Sequence, residues 1–257
     1  AAMKIGGFGK IKDYLPIAEA GYDFAELDVP EIADLSGEAL DELQKSIKTG
    51  VPIQIGSRLL PVAEPLFFEE GFKPESLEPY LEEACGKTAR LGIRTLILGN
   101  GKACWIRTAS ERPKEEAFIE ALRLMARKAE ENHQELILEP LGPKYSNYIN
   151  TVVQAVQLIE KVKINNLFTM ADLRHMVAAG EPFQDLQTYL PYIHHIHMDY
   201  PLSYPERNYP SVRDGYDYRV FLDSLERAGY DGTLTIEADI PENWHKACRQ
   251  VMEVLEK

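Results

Sequence analysis

Eight short runs rich in apolar and β-branched residues recur along the whole chain, separated by segments with helical periodicity. The runs begin at Lys4, Phe24, Pro52, Thr95, Glu135, Leu167, His194 and Thr233. Short runs of this kind are typical of buried strands, and the alternation of strands with helices is typical of a parallel sheet. Eight such units in 257 residues match the size of a closed (β/α)8 barrel. The sequence therefore predicts an α/β fold, a TIM barrel.

The segments between the runs have the pattern of helices that lie on a sheet. In the clearest of them, residues 112–132, one apolar stripe carries Phe118, Ala121, Leu122, Met125 and Ala129. An open doubly wound sheet is the alternative fold, but residues 6–9 lack the spacing of a GxGxxG phosphate turn. No linker or break in composition suggests a second domain, so residues 1–257 are assigned to one domain. Ala1 and Ala2, ahead of Met3, are expected to be a remnant of recombinant expression.

Charge and cysteine content disfavour several classes of protein. The formal net charge of −13 disfavours general binding to nucleic acid, because such binding draws on clustered Lys and Arg. Cys85, Cys104 and Cys248 show no CxxC spacing, so neither a disulfide framework nor a cysteine zinc site is expected. No stretch offers the roughly 18 unbroken apolar residues of a membrane span. We therefore expect a soluble, cytoplasmic protein with no nucleic-acid or membrane partner.

Four neighbouring strands of the predicted barrel end in residues that bind metals. Strand five ends in Glu139, strand six in Asp172 and strand eight in Glu237, while strand seven carries His195 and His197. The active site of a TIM barrel lies at the carboxyl ends of its strands. Three carboxylates and one imidazole suit Mn²⁺, Mg²⁺ or Co²⁺, with Zn²⁺ as an alternative. The sequence therefore predicts one divalent metal ion at this end of the barrel.

Strand geometry distinguishes the three histidines of strand seven. Because successive side chains point to opposite faces, His195 and His197 share the barrel interior and His194 points outward. His197 lies nearer the carboxyl end of the strand. We expect His197 to be the metal ligand and His195 to be an interior histidine one layer deeper.

Several motifs resemble those of the xylose isomerase-like superfamily of sugar isomerases and epimerases, which includes the AP endonuclease family 2. They are EPLGPKYSNYINT from Glu139, DLRHM from Asp172, HIHMD from His195 and GYDGTLTIEAD from Gly229. The resemblance covers nearly the whole chain. It is closest to the branch of short barrels with ketose 3-epimerases, hydroxypyruvate isomerases and inosose dehydratases. It implies that one divalent cation is bound by Glu139, Asp172, His197 and Glu237, and that His175 contacts a substrate oxygen.

The resemblance also implies a type of reaction. In those epimerases the two ligand glutamates act as acid and base, so Glu139 and Glu237 would move an α-proton through a metal-stabilised enediolate. The implied substrate is a small ketose, sugar acid or sugar phosphate. Return of the proton to the opposite face gives epimerisation, and transfer between adjacent carbons gives isomerisation. Loss of a β-hydroxyl group would instead make the enzyme an inosose-type dehydratase.

Two positions depart from the epimerase pattern. Those enzymes usually continue Glu-Pro-Leu with Asn-Arg and an acid six residues after the glutamate, where this chain has Gly-Pro and then Tyr145. Their arginine six residues after the ligand histidine is Ser203 here, and Arg207 or Arg213 could replace it. These departures weaken an assignment to the ketose 3-epimerases and leave the four metal positions unchanged.

Further candidates for substrate binding follow strands two, three and four. Arg58 follows strand three, where a guanidinium could bind a carboxylate or phosphate through two hydrogen bonds. Lys102 and Trp105 follow strand four, and Trp105 could stack on a sugar ring. Glu26 is interpreted as the end of strand two, in a similar position at the rim. A surface or packing role is the alternative for each of these residues.

Two other functions fit the sequence less well. Abasic-site endonucleases of this superfamily use a three-metal cluster with histidines from the early strands, and no histidine precedes His133 here. A non-catalytic sugar-binding barrel would need no glutamate on each side of a metal. Because such barrels often pair, a homodimer or a homotetramer is left open.

Overall fold

The computed structural model describes residues 2–108, 110 and 115–256, which contain a closed barrel of eight parallel strands. The strands are β1 (Lys4–Gly9), β2 (Phe24–Asp28), β3 (Ile53–Ser57), β4 (Thr95–Leu98), β5 (Glu135–Leu138), β6 (Leu167–Asp172), β7 (Ile193–Met198) and β8 (Thr233–Ile236). Each strand pairs with the next in chain order, and β8 pairs with β1 to close the ring. The predicted TIM barrel is confirmed, and each of the eight apolar runs overlaps one strand.

Helices connect the strands on the outside of the barrel. Within the described ranges they are α1 (Tyr14–Ala20), α2 (Val29–Ala33), α3 (Gly37–Thr49), α4 (Glu78–Arg90), α5 (Glu115–Glu131), α6 (Val152–Val162), α7 (Leu173–Ala179), α8 (Gln184–Thr188), α9 (Arg219–Ala228) and α10 (Trp244–Glu256). The predicted apolar stripe of α5 is buried against the sheet, while residues 112–114 of that prediction lie outside the described residues. None of the described helices is long and apolar enough to cross a membrane.

The interior of the barrel contains an apolar layer. It is formed by Phe24, Ile55, Ile97, Ile137 and Met170. Gly6 on β1 leaves space for this layer, because a Cβ atom at Gly6 would lie 2.3 Å from the ring of Phe24. The polar side chains of the interior therefore lie in a separate layer, closer to the carboxyl ends of the strands.

The long loop after β7 is held over the barrel by Arg174 of α7. The guanidinium lies 2.8 Å from Asp199, and neither side chain is more than 4% exposed. The same guanidinium donates hydrogen bonds to the backbone oxygens of Tyr200, Ser203 and Glu206. One buried cation thus binds carbonyl groups along the whole first part of the loop, which fixes the course of the loop towards Arg207.

Candidate metal and substrate site

The carboxyl ends of β5 to β8 bring four side chains to one point. The Nδ1 atom of His197 lies 3.1 Å from Oε2 of Glu237, 3.4 Å from Oε2 of Glu139 and 3.6 Å from Oδ2 of Asp172. These four side chains are between 1% and 15% exposed. Each follows or ends a parallel strand, and such strand ends meet at one rim of a barrel. The structure therefore places the four predicted ligand positions in one cluster, which we call the strand-end cluster.

Three buried polar atoms in and beside this cluster lack a hydrogen-bond partner in the described part of the chain. They are Oε2 of Glu139, Nε2 of His175 and Nδ1 of His197. His175 Nε2 lies 3.9 Å from Oε2 of Glu139 and 3.7 Å from Oδ2 of Asp172. Because a buried polar atom without a partner is costly, such a group indicates a bound ion or water. The oxygen-rich donor set fits a divalent cation.

The electrostatics of the strand-end cluster also favour a bound cation. Burial raises the pKa of Glu139 to about 7; the neighbouring imidazole of His197 opposes this rise and the charge of Glu237 reinforces it. Burial likewise raises the pKa of Glu237, although the positive charges of His197 and Arg207 oppose it. Carboxylates crowded in this way repel one another, and a cation between them would relieve the repulsion.

Glu26 lies below the strand-end cluster, so the rim position expected for it is wrong. β2 continues to Asp28, and Glu26 points into the barrel with no exposed surface. Its Oε2 lies 2.9 Å from Nε2 of His197 and its Oε1 lies 2.9 Å from Nε2 of His195. Burial raises the pKa of this carboxyl group, but the charge and hydrogen bonds of the two imidazoles hold the pKa well below its usual range. Both oxygens are engaged by interior histidines and are not available to a substrate.

The other histidines of β7 lie where strand alternation places them. His195 has no exposed surface, and its Nδ1 lies 2.6 Å from Oγ1 of Thr233. His194 points outward, where its Nδ1 lies 2.8 Å from Glu135 and its ring stacks on Phe168 at 3.6 Å. The interior position predicted for His195 and the outward position predicted for His194 agree with the structure.

His175 faces the strand-end cluster from the first turn of α7. Burial lowers its pKa to about 4, so the ring is neutral near pH 7. Its Nδ1 accepts a hydrogen bond of 2.9 Å from the backbone N–H of Gly142. A neutral imidazole carries one proton, which must then lie on Nε2. His175 thus presents an N–H donor beside the carboxylates.

A cavity of about 630 Å³ opens above the strand-end cluster. Its lining includes Glu139, His175 and Glu237. The cationic side chains that line it are Lys10, Arg58, Lys102, Lys144 and Arg207. This volume is in the usual range of small-molecule sites, about 300 to 1,000 Å³. This concentration of cationic side chains at one cavity is unusual for a chain whose formal net charge is −13.

The structure separates the candidates for substrate binding into two groups. Arg58, Lys102 and Arg207 line the cavity, whereas Trp105 and Arg213 do not. Trp105 is half-buried at the end of a short 3-10 turn outside the cavity. Arg213 is exposed in a turn in which the backbone N–H of Arg213 donates to Ser211 Oγ. The structure therefore does not bring Trp105 or Arg213 to the wall of the cavity.

Two cavity arginines are held by carboxylates. Arg58 binds Asp28 through Nε at 2.9 Å and Nη2 at 3.2 Å, and Lys10 lies 3.4 Å from the same acid. Arg207 donates to Oε1 of Glu237 and lies over the ring of Tyr145 at 5.2 Å. Of the two arginines considered for the position lost at Ser203, only Arg207 reaches the cluster.

Sequence reasoning missed several residues of the cavity wall, among them Lys10, Lys144 and Tyr204. Lys10 directly follows β1, so the rule that strand ends carry the site would have identified it. Lys144 and Tyr204 come from different loops, and the Lys144 ammonium lies 4.0 Å from the centre of the Tyr204 ring. Neither has a local signal, because the contact joins two loops that are distant in sequence.

Comparisons with known proteins support the architecture. No curated protein is significantly similar in sequence. Solved structures with the same fold include the 3-keto-D-glucoside 4-epimerase of E. coli, with 18% identity, 99% of each chain covered and a TM-score of 0.79. They also include the D-allulose 3-epimerase of Methylomonas sp. in complex with D-allulose, with 17% identity, 99% of this chain and 96% of that chain covered, and a TM-score of 0.80.

An AP endonuclease of family 2 from Brucella melitensis is similar to the same degree, with 19% identity, 95% of this chain and 96% of that chain covered, and a TM-score of 0.79. At such identities the likeness shows the fold alone. Residues 16–257 match the family described as xylose isomerase-like TIM barrel. The chain therefore belongs to the xylose isomerase-like TIM-barrel family.

Proposed function

We propose that the protein is a metal-dependent sugar isomerase or epimerase that removes and returns a proton on a carbon next to a carbonyl group. The observation that carries the proposal is the strand-end cluster, in which Glu139 and Glu237 come from β5 and β8 and meet at Nδ1 of His197. Two carboxylates at the floor of a cavity are what proton removal and return require. Two of the similar structures are sugar epimerases, which supports the same class of reaction.

The cluster supplies both a site for a cation and groups that move protons. Glu139, Asp172, His197 and Glu237 would hold a divalent cation, which polarises a carbonyl group and offsets the charge that develops on its oxygen. Burial raises the pKa of Glu139 while a bound cation would lower it, so the carboxylate would be the form that accepts the proton from carbon. Arg207 donates to Oε1 of Glu237 and so orients that carboxylate. The N–H of His175 can bind a substrate oxygen.

The cations of the cavity favour a substrate with an anionic group. Lys10 and Arg58 share a single acid, Asp28, and so retain net positive charge. Lys102 and Lys144 line the same cavity at exposed positions. Lys and Arg are the residues that bind carboxylate and phosphate groups. We therefore propose a sugar acid or a sugar phosphate in preference to a neutral ketose.

Proton exchange in D2O tests this function. Metal-stripped protein is resupplied with Mn²⁺ and incubated with ketoses, ketose phosphates, keto-sugar acids, hydroxypyruvate and an inosose. Protein and metal are removed before NMR analysis. We expect loss of an α C–H signal with a new epimer or isomer, and faster exchange for the anionic compounds. Loss of water would make the enzyme a dehydratase instead, and no exchange across the panel with Mn²⁺ bound would contradict carbon-acid chemistry on these substrates.

A further inference from the structure

His197 is held by Glu26 at the edge of its ring that faces away from the strand-end cluster. Nε2 of His197 lies 2.9 Å from Oε2 and 3.1 Å from Oε1 of Glu26. Nδ1 faces the carboxylates of Glu139, Asp172 and Glu237 instead. A cation bound at Nδ1 would take the place of a proton there and leave the imidazole neutral, with one N–H and one lone pair. If the proton on Nε2 is used to bind Glu26, the lone pair on Nδ1 is directed at the cluster.

Glu26 is itself fixed by a second histidine. The hydroxyl of Thr233 lies 2.6 Å from Nδ1 of His195, and Nε2 of His195 lies 2.9 Å from Oε1 of Glu26. When the hydroxyl donates to Nδ1, the proton of His195 lies on Nε2 and is donated to the carboxylate. Glu26 then accepts a hydrogen bond on each oxygen, and neither Glu26 nor His195 has exposed surface. A carboxylate bound on both oxygens inside a packed barrel cannot turn away from His197.

We propose that Glu26 is a positioning residue for the metal centre. It holds His197 in the tautomer and ring orientation in which Nδ1 binds the cation, and Thr233 and His195 hold Glu26 in turn. Carboxylates that bind the second nitrogen of a metal-binding histidine have this effect on tautomer, orientation and basicity. The inference rests on the proposed metal site and does not depend on which sugar is converted.

The same three residues do not form a metal site of their own. Ligand atoms of Glu26, His195 and His197 lie within 4.8 Å of one another, but each close contact among them is a hydrogen bond of ordinary length. Nε2 of His195 also has Oγ1 of Thr235 at 3.2 Å. Glu26 and His195 do not line the cavity, whereas Glu139 and Glu237 do. A cation that enters from solvent therefore meets these two carboxylates first, with Nδ1 of His197 beside them.

Two substitutions at Glu26 test the proposal by Mn²⁺ affinity, measured by calorimetry. Glu26→Leu removes both acceptor oxygens, and we expect its Mn²⁺ dissociation constant to rise about 10- to 100-fold. Glu26→Gln keeps one acceptor oxygen, so we expect an intermediate loss. The matched control is Glu181→Gln, because Glu181 is also a buried carboxylate but binds the backbone N–H groups of Val152 and Val153 away from the cluster. This control should bind Mn²⁺ like wild type.

A measurement on the wild-type protein keeps the test valid if a Glu26 variant fails to fold. Long-range proton–nitrogen NMR of protein loaded with diamagnetic Zn²⁺ reports which nitrogen of His197 carries the proton, with assignment from a His197→Gln spectrum. We expect the proton on Nε2 and the metal on Nδ1. Metal on Nε2 would overturn the proposal, as would folded Glu26 variants that bind Mn²⁺ within about twofold of wild type.

The outcomes for this proposal and for the proposed function are distinguishable. Wild-type protein that binds no divalent cation would overturn the metal site and the role of Glu26 with it. Wild-type protein that binds Mn²⁺, with weakened binding in both Glu26 variants, supports the positioning role even if no sugar is converted. In that last case only the proposed reaction fails.

Discussion

Glu139 and Glu237 differ from the other acids among the described residues because they combine burial, contact with His197 and a place at the floor of the cavity. Glu139→Gln and Glu237→Gln keep the size of each side chain and remove its capacity to accept a proton. We expect turnover to fall about 10²- to 10⁴-fold in each variant, measured by deuterium incorporation into substrate. Circular dichroism checks the fold, and near-normal activity in either variant would contradict the acid–base roles.

His175 is predicted to bind substrate and not the cation. In His175→Asn the amide oxygen can still accept from the backbone of Gly142, while the N–H of Nε2 is lost. Loss of a hydrogen bond to substrate is expected to lower kcat/KM about tenfold, with the Mn²⁺ dissociation constant unchanged. A large loss of Mn²⁺ affinity with little change in kcat/KM would instead make His175 part of the metal centre.

At the scale of single residues, the sequence predicts which residue types form the site better than it predicts how deep in the barrel each side chain lies. Glu26 and Asp28 lie two apart on β2 and so share the interior face. Alternation therefore cannot tell which of them reaches the rim, and Glu26 proves to lie one layer deeper. The order of residues along a strand does tell, because the strand has a known direction in a barrel: it separated His195 from His197 on β7, and on β2 it would have placed Glu26 beneath Asp28.

At the scale of elements, the short helix α7 joins the cluster to the loop that covers it. Asp172 accepts from the backbone of His175 at the start of α7, and Arg174 binds the loop after β7. In Arg174→Lys the charge remains, but one ammonium cannot replace the several N–H groups of a guanidinium. We expect KM to rise as Arg207 loses its fixed position, together with a loss of stability of about 1 to 3 kcal/mol.

The control for this variant is Arg123→Lys, because Arg123 on α5 forms an exposed ion pair with Glu120. Exposed pairs contribute about 0 to 1 kcal/mol, so KM and thermal stability should stay close to wild type. Equal effects of the two substitutions would contradict an anchoring role for Arg174.

The strands were predictable because four to eight buried apolar residues leave a clear local pattern. The loop after β7 was not, because its course depends on hydrogen bonds from Arg174 to carbonyl groups that no side-chain pattern reveals. For this reason the sequence alone could not show which of Arg207 and Arg213, both in this loop, reaches the strand-end cluster.

At the scale of the whole molecule, the barrel brings three acids and one histidine from four strands into one space. The protein without metal therefore carries a repulsion that a bound cation relieves. We expect chelation to lower Tm and Mn²⁺ to restore it, with a gain of about 2.7 kcal/mol at 100 times the dissociation constant. In Asp172→Asn the gain should shrink, whereas an equal gain in wild type and this variant would place the cation elsewhere.

The alternation of strands and helices predicts the fold as a whole, but it does not identify the substrate. Lys10, Lys144 and Tyr204 come from three different loops and meet only because the ring of strands is closed. The four predicted ligand positions are different in this respect, because each is fixed by the end of a strand and the strand ends can be recognised in the sequence.

The most direct test of the account is anomalous diffraction from a crystal of the protein soaked in Mn²⁺. We expect one strong anomalous peak per chain, within roughly 2.5 Å of Nδ1 of His197 and of carboxylate oxygens of Glu139, Asp172 and Glu237. A peak bound instead by Glu26 and His195, or no peak at this end of the barrel, would contradict the claim that the four strand ends form one metal centre.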